Sequence, residues 1–379
     1  MIGRYRRAAV LTLIVLAACG GGAPPEQGAP VETPRPAWIE LGGVPLDSNG
    51  KTPELRVPWP VDGQGLLLDV SSPNGLCFAL DELSDDTGHR FIGPAESGAY
   101  CMACEQRVSV AAGAGLFVLP SGGAAFSPIG ALRFRLGLRD CTTLTQSPLV
   151  PGGQTLSVRA RGTLRAPLRG TVALRLVVTP ASAFHSAASD TALQAVLDAL
   201  NAELAPAQLS ARLAQLTRLP AGAPSDAGFS VADTSALQRL LQTASPSPAG
   251  NTIPVVLAGC LRLAEPVLGR TTEPQGYTPR VPGGAGPADG VFIQGSLCGT
   301  PGPVRVEWSA SALARVLAHE LGHYLGLYHT VEADGSSDAL ADTDATNLMF
   351  YRPGQSGATG LSALQGAVMR AHPAVTPVN

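Results

Sequence analysis

Residues 318–330 read AHELGHYLGLYHT, and no other stretch narrows so far what this chain can fold into. His319 and His323 are four residues apart, so on a helix both imidazoles project from one face and can grip one metal ion. A helix can reach them from upstream: Ser309 or Ser311 caps it, and Ala312, Leu313, Val316 and Leu317 continue its apolar side. Glu320 lies beside the pair, placed to reach a water on the metal. Gly326 can take positive φ, stop the helix and return His329 toward the same ion. Three neutral imidazoles with one position left for water make an open tetrahedral zinc site. At this composition the pattern HExxHxxGxxH arises by accident with a chance of roughly 10⁻⁵, which leaves little room for histidines that merely decorate an amphipathic helix.

The N-terminus sets the compartment. Arg4, Arg6 and Arg7 precede an apolar stretch from Ala8 to Ala18, which reads as an export signal over residues 1–18. Leu16-Ala17-Ala18-Cys19 resembles the lipobox of bacterial lipoproteins, which implies a lipid on Cys19 and a membrane as one partner; the alternative is an ordinary cleaved signal with a chance cysteine. Residues 19–39 then form the lipidated cysteine and a Gly- and Pro-rich tether, and the expected location is the bacterial cell envelope, at the outer membrane or cell surface. The chain has 7 cysteines. With Cys19 assigned to lipid, Cys77, Cys101, Cys104, Cys141, Cys260 and Cys298 form an even set in an oxidising compartment. The simplest partition puts two bridges among the first four and joins Cys260 to Cys298; the first four admit three pairings. Cys101 and Cys104 also have the spacing of half a zinc ribbon or a redox motif, but no second such pair exists.

The 379 residues suggest two domains, and a formal charge of −3 with scattered arginines gives no footprint for nucleic acid. Apart from the N-terminus no apolar run approaches the length of a membrane helix. Residues 40–165 offer short, partly alternating runs such as Leu66–Val70, Leu116–Leu119, Leu132–Leu138 and Thr155–Ala160, read as a disulfide-bearing all-β sandwich-like domain. Arg159, Arg161, Arg165 and Arg169 punctuate the junction after it. From residue 166 the pattern becomes α/β: a strand over 171–179, a helix from Ser189-Asp190 to Leu204, a strand over 208–218, a helix over 235–243, and strands over 253–257 and 291–294. In the first helix Leu193, Val196, Leu197, Leu200 and Leu204 line one face. The stretch 265–290 is long enough for an edge strand and a functional loop.

The segment AHELGHYLGLYHT resembles the metzincin metalloproteases, and Asn347-Leu348-Met349-Phe350-Tyr351 downstream resembles their Met-turn. Within that clan the sequence is most similar to the pappalysin family, because an acidic stretch from Asp334 to Thr343 follows the histidines; no Gly precedes Asp338 and no Pro follows Thr343. The resemblance covers the C-terminal two hundred or so residues and implies a metzincin-like catalytic domain, residues 166–379, with a mixed sheet and an active-site helix; with the sandwich read before it, the expected fold class is α+β. It implies Zn²⁺ held by His319, His323 and His329, Glu320 as general base, and Met349 beneath the metal. Tyr351 matches a position where several metzincin families carry a tyrosine that bonds the oxyanion; a packed aromatic is the other reading. Asp334, Asp338 and Asp342 supply hard oxygens for Ca²⁺, or else form a solvated acidic loop.

The expected activity is therefore a zinc-dependent endopeptidase acting on protein or peptide substrates at or outside the envelope. A second class is a surface binding or adhesion lipoprotein whose zinc site is structural or inactive. Residues 40–165 admit two readings, a removable pro-region or a permanent binding module.

Overall fold

The computed structural model describes residues 37–378 apart from 60–62, 64, 73–75, 94–112, 121–125, 141–152, 164–166, 231–232, 244–251, 266–269, 285–288, 300–308, 334 and 353–359. Cys19 and the expected signal and tether up to residue 36 lie outside the described residues, as do Cys101, Cys104, Cys141 and Asp334. Among the described residues no helix is long and apolar enough to cross a membrane.

The first part of the chain is built from β1 (Ile39–Pro45), β2 (Leu55–Pro58), β3 (Gly65–Ser71), β4 (Cys77–Asp85), β5 (Arg90–Ile92), β6 (Ala114–Leu119), β7 (Ala131–Arg139) and β8 (Thr155–Thr163). They form two four-stranded sheets, in the orders β1-β8-β3-β6 and β2-β7-β4-β5, with antiparallel pairing throughout. Alternation decides which side chains face inward: Leu66, Leu68 and Val70 of β3 meet Phe78, Leu80, Phe134 and Leu136 of the facing sheet in one core. Leu67, on the opposite face of β3, packs with Leu116, Val118 and Ala371, so the outer side of this sheet carries the C-terminal helix of the chain. Arg159 and Arg161, read from sequence as punctuating a junction, lie within β8, where both guanidinium groups stack on Trp38 at 4.6 Å from the ring centre.

The second part continues through β9 (Gly170–Val178), α1 (Asp190–Leu204), β10 (Leu209–Arg218), β11 (Ala227–Phe229), α2 (Ser235–Thr243), β12 (Thr252–Ala258), β13 (Leu261–Glu265), β14 (Arg270–Thr272), β15 (Gly276–Tyr277), β16 (Val291–Gln294), α3 (Ala310–Tyr324), α4 (Ala363–Ala371) and β17 (Val375–Pro377). Its main sheet runs β10-β9-β12-β16-β15. The first four strands are parallel, and β15 closes the edge antiparallel to β16. Parallel strands are covered on both faces, which is why β9 and β12 read as nearly continuous apolar runs. On one face α1 and α3 bury Leu193, Val196, Leu197, Leu200, Leu204, Leu313 and Leu317 against Leu174, Leu176, Val255 and Ile293. Each such aliphatic side chain contributes about 1.5–3 kcal/mol of transfer free energy, so α1 is held by its buried stripe rather than by capping, and Ser189 makes no side-chain cap bond. On the other face α2 packs Leu237, Leu240 and Leu241 over Val177, Val256 and Phe292.

Strand β10 begins at Leu209 rather than Gln208, because Gln208 takes the left-handed conformation, φ 57°, that turns the chain out of the short 3-10 turn, Ala205–Ala207, that follows α1. Cys260 and Cys298 are bonded to each other, tying the start of β13 to the segment after β16. Cys77 is disulfide-bonded as well.

The C-terminal helix α4 did not figure in the sequence reading, although Ser362 and Gln365 form a reciprocal capping box at its start. After α4, His372 is buried; its Nδ1 accepts from the Ala374 amide at 3.1 Å and its Nε2 donates to the Gly283 carbonyl at 3.0 Å. Both nitrogens are used as a neutral ring uses them, and burial brings its pKa down to about 4. An unfolded histidine takes up its proton near pH 6.5, so between there and about pH 4 the unfolded chain binds more protons and stability falls with pH. In the metal-free protein, denaturant unfolding at pH 7 and pH 4 should show wild type losing about 3 kcal/mol more than His372→Gln across that interval. Equal losses would contradict the assignment.

Candidate active site

Helix α3 starts where Ser309 accepts a hydrogen bond from the Ala312 amide at 3.1 Å, and it runs apolar side inward until Tyr324. Gly326, at φ 108°, ends it. The Leu327 amide donates to Gly322 O at 2.9 Å and the Gly326 amide to His323 O at 3.0 Å, the paired bonds of a Schellman stop. That turn reverses the chain two residues before His329, so the third histidine comes back to the face that carries the first two.

The three rings converge. His323 Nε2 lies 3.1 Å from His319 Nε2 and 3.1 Å from His329 Nε2, and the ligand nitrogens of all three fall within 4.8 Å of one another. Each Nδ1 is spoken for on the other side of its ring: His319 by Leu348 O at 2.9 Å, His323 by Leu327 O at 2.8 Å, and His329 by the Glu332 carboxylate at 2.9 Å. Carbonyl and carboxylate oxygens only accept, so each Nδ1 carries the hydrogen and each Nε2 presents a lone pair. Burial, with the neighbouring imidazoles, holds His319 down to about 3 and His323 well below the usual range, which keeps both neutral. Three lone pairs facing one another at this separation repel unless a cation lies among them. A tetrahedral ion with Zn–N bonds of 2.0–2.1 Å sets its ligand nitrogens about 3.3 Å apart, so the donor set, charge state and spacing fit zinc.

Glu320 is buried beside this cluster on the same helix and turns toward the sheet edge. The Thr278 hydroxyl lies 2.9 Å from Glu320 Oε2 and 2.9 Å from the Glu320 carbonyl oxygen. Burial pushes the carboxyl up to about 8, partly offset by the Thr278 hydroxyl, while a dication beside it favours the charged form. Gly276, on edge strand β15, lies against this side chain: a Cβ placed there would come within 2.6 Å of Glu320 Cγ and 2.8 Å of Oε1.

Residues 306–366 match the model of a peptidase family, M43, described as pregnancy-associated plasma protein-A. This stretch of the chain is pappalysin-like. Together with the histidine triad the match supports a zinc metallopeptidase. Among solved structures the chain matches metalloproteinase-II from Bacteroides fragilis at 14% identity and a TM-score of 0.30, over 56% of this chain and 62% of that one. It also matches an acetyl xylan esterase from the rumen bacterium Butyrivibrio proteoclasticus at 14% identity and a TM-score of 0.19, over 77% of each chain. At these scores the likeness carries no structural argument. Comparison with curated proteins returns no match.

In the pappalysin-like segment the Met-turn sits directly under α3. Asn347 starts it, its Oδ1 accepting from the Met349 amide at 2.9 Å, and the buried Met349 thioether occupies the space a side chain at Gly322 would need, 2.5 Å from a notional Cβ. The same turn supplies Leu348 O to His319 and Met349 O to the Thr330 amide, so it fixes both ends of the segment that carries the three histidines. Tyr351 is half-buried between the Phe350 ring and the Arg352 guanidinium, and among the described residues no hydrogen bond joins its hydroxyl to the histidines or Glu320. The described aspartates of the acidic stretch serve local backbone and hydroxyl groups. Asp338 accepts from Thr343 Oγ1 at 2.7 Å, and Asp342 accepts from Ser362 Oγ at 2.7 Å and the Leu364 amide at 3.0 Å, closing the start of α4. Nothing in this arrangement supports calcium, and the histidine triad is the one metal-holding cluster among the described residues.

Thr278, Gly276 and Glu332 were absent from the sequence reading. The first two lie 42 and 44 residues from Glu320, inside a stretch crowded with other glycines, where no local pattern marks them. The atoms a Cβ at Gly276 would meet belong to the Glu320 side chain, which can swing away, so Gly276→Ala displaces the carboxylate without unfolding the protein. We expect Gly276→Ala to keep stoichiometric zinc and its melting temperature while peptide hydrolysis falls roughly 10²-fold; unchanged turnover would show that the position of Glu320 is not set by the edge strand.

Proposed function

We propose that this protein is a zinc-dependent, metzincin-like endopeptidase that hydrolyses proteins at or outside the cell envelope, tethered through a lipid on Cys19. The observation that carries the reading is the convergence of three Nε2 lone pairs, those of His319 and His329 each 3.1 Å from that of His323, beside a buried carboxylate, Glu320, on the helix that carries the first two histidines. The family match over residues 306–366 supports it. The basic and apolar run before Cys19 supports the location.

When bound, zinc supplies a Lewis acid that polarises a substrate carbonyl and acidifies a water molecule. His319, His323 and His329 hold it through Nε2, their tautomers fixed from behind by Leu348 O, Leu327 O and Glu332. Thr278 engages Oε2 of Glu320 and leaves Oε1 to receive the water proton as the carbonyl is attacked. Glu320 then delivers that proton to the leaving amine. Strand β15 is the end strand of the sheet and lies against Glu320, so an extended peptide adding to it brings a scissile bond to the base. Tyr351 is the candidate hydroxyl for the oxyanion; it would have to turn from its stacked position to serve.

Glu320→Gln should retain one zinc per chain, measured by elemental analysis, and lose between 10² and 10⁴ of its rate on an unfolded protein substrate, the span expected of a general base. Chelation should abolish wild-type cleavage and zinc restore it. A Glu320→Gln variant as active as wild type would sink the mechanism.

A further inference from the structure

The three histidines are not held alike. His319 and His323 stand on a helix and donate to backbone carbonyls. His329 follows the helix stop, outside any helix or strand, and its Nδ1 meets a side chain, Glu332 Oε2, at 2.9 Å. The backbone around that side chain is tied down. Val331 pairs with Ser337 in an antiparallel bridge, the Glu332 amide donates to Ser336 O at 2.8 Å, and the Gly335 amide donates to Glu332 O at 3.0 Å. Gly335, at φ 87°, makes the turn. On the other side the Thr330 amide donates to Met349 O at 2.9 Å, and the Tyr351 amide reaches Val331 O at 3.4 Å. A short hairpin anchored on the Met-turn thus presents a carboxylate to the back of the ligand that lacks helical support.

We propose that Glu332 is the positioning residue of the third metal ligand, turning the His329 lone pair inward and completing the site; this rests on the zinc reading above. Two effects of the carboxylate are separable. It orients the ring through the Nδ1–H bond, and its charge makes the imidazole a stronger donor. His329 and Glu332 are 25% and 30% exposed, so solvent screens the charge and orientation is the larger effect. A glutamine keeps an oxygen acceptor of the same reach and loses only the charge.

The test is zinc affinity of the full chain, measured by competition with a chromophoric chelator, for wild type, Glu332→Ala, Glu332→Gln and His329→Ala, beside the melting temperatures of the metal-free proteins. Glu332→Ala should bind zinc roughly 10–100-fold more weakly, Glu332→Gln should recover most of that loss, and the metal-free melting temperatures should agree. His329→Ala should be weaker than either. Glu332→Ala binding within twofold of wild type would overturn the proposal, as would Glu332→Gln being no better than alanine. Wild type that binds no zinc would overturn the metal reading itself, a result distinguishable from both. Should the alanine variant fail to fold, wild type against Glu332→Gln and His329→Ala still decides: glutamine must lie close to wild type and far above His329→Ala.

Discussion

Three imidazole lone pairs held within 4.8 Å of one another, those of His319 and His329 each 3.1 Å from that of His323, repel one another, and much of the second half of this chain keeps them there. The arrangement persists only if each ring is prevented from rotating or flipping its tautomer, which requires a fixed acceptor behind every Nδ1. Those acceptors come from different places: the Schellman stop supplies Leu327 O, the Met-turn supplies Leu348 O, and the hairpin after His329 supplies Glu332. The turn at Met349 is therefore a structural support for the histidine cluster as well as a packing floor. Its methionine fills the gap left by Gly322, between the two helical histidines, and its backbone holds His319 on one side and Thr330 on the other.

The sheet bears on the same site through its edge. Helix α3 packs on the main sheet beside α1, with Leu313 and Leu317 buried among the aliphatic side chains of the parallel strands, and this contact fixes the height at which Glu320 emerges. At that height the antiparallel strand β15 offers a glycine where the carboxylate lies, and Thr278 just beyond offers a hydroxyl to one of its oxygens. A strand that ends the sheet has backbone groups free to pair with an added peptide, so in the proposed mechanism the element that positions Glu320 would also be the one to receive a substrate.

What the sequence made legible follows the range of the interactions. Helix periodicity is local, and the five residues expected on the apolar face of α1 are the five buried there. The cap at Ser309 and the stop at Gly326 are local too, and both lie where spacing puts them. Helix α4 carried an equally local signal in Ser362 and Gln365, and it escaped notice because its nine residues are short and mixed in polarity. Glu332 is near His329 in sequence but sits in a hairpin with no periodic pattern, so spacing alone could not direct its side chain to Nδ1. Gly276 and Thr278 acquire meaning only when the sheet brings a distant strand to the helix. The acidic stretch shows the converse: aspartates that resembled a cation site are acceptors for turns and for the start of α4.

The central claim is that one ion lies among three imidazole nitrogens with a position left open. X-ray absorption at the zinc edge of the reconstituted full chain reads this directly. The account predicts one zinc with three imidazole nitrogens at about 2.0–2.1 Å and a single further light atom. A sulfur shell near 2.3 Å, a fourth protein nitrogen, or no stoichiometric zinc would contradict it.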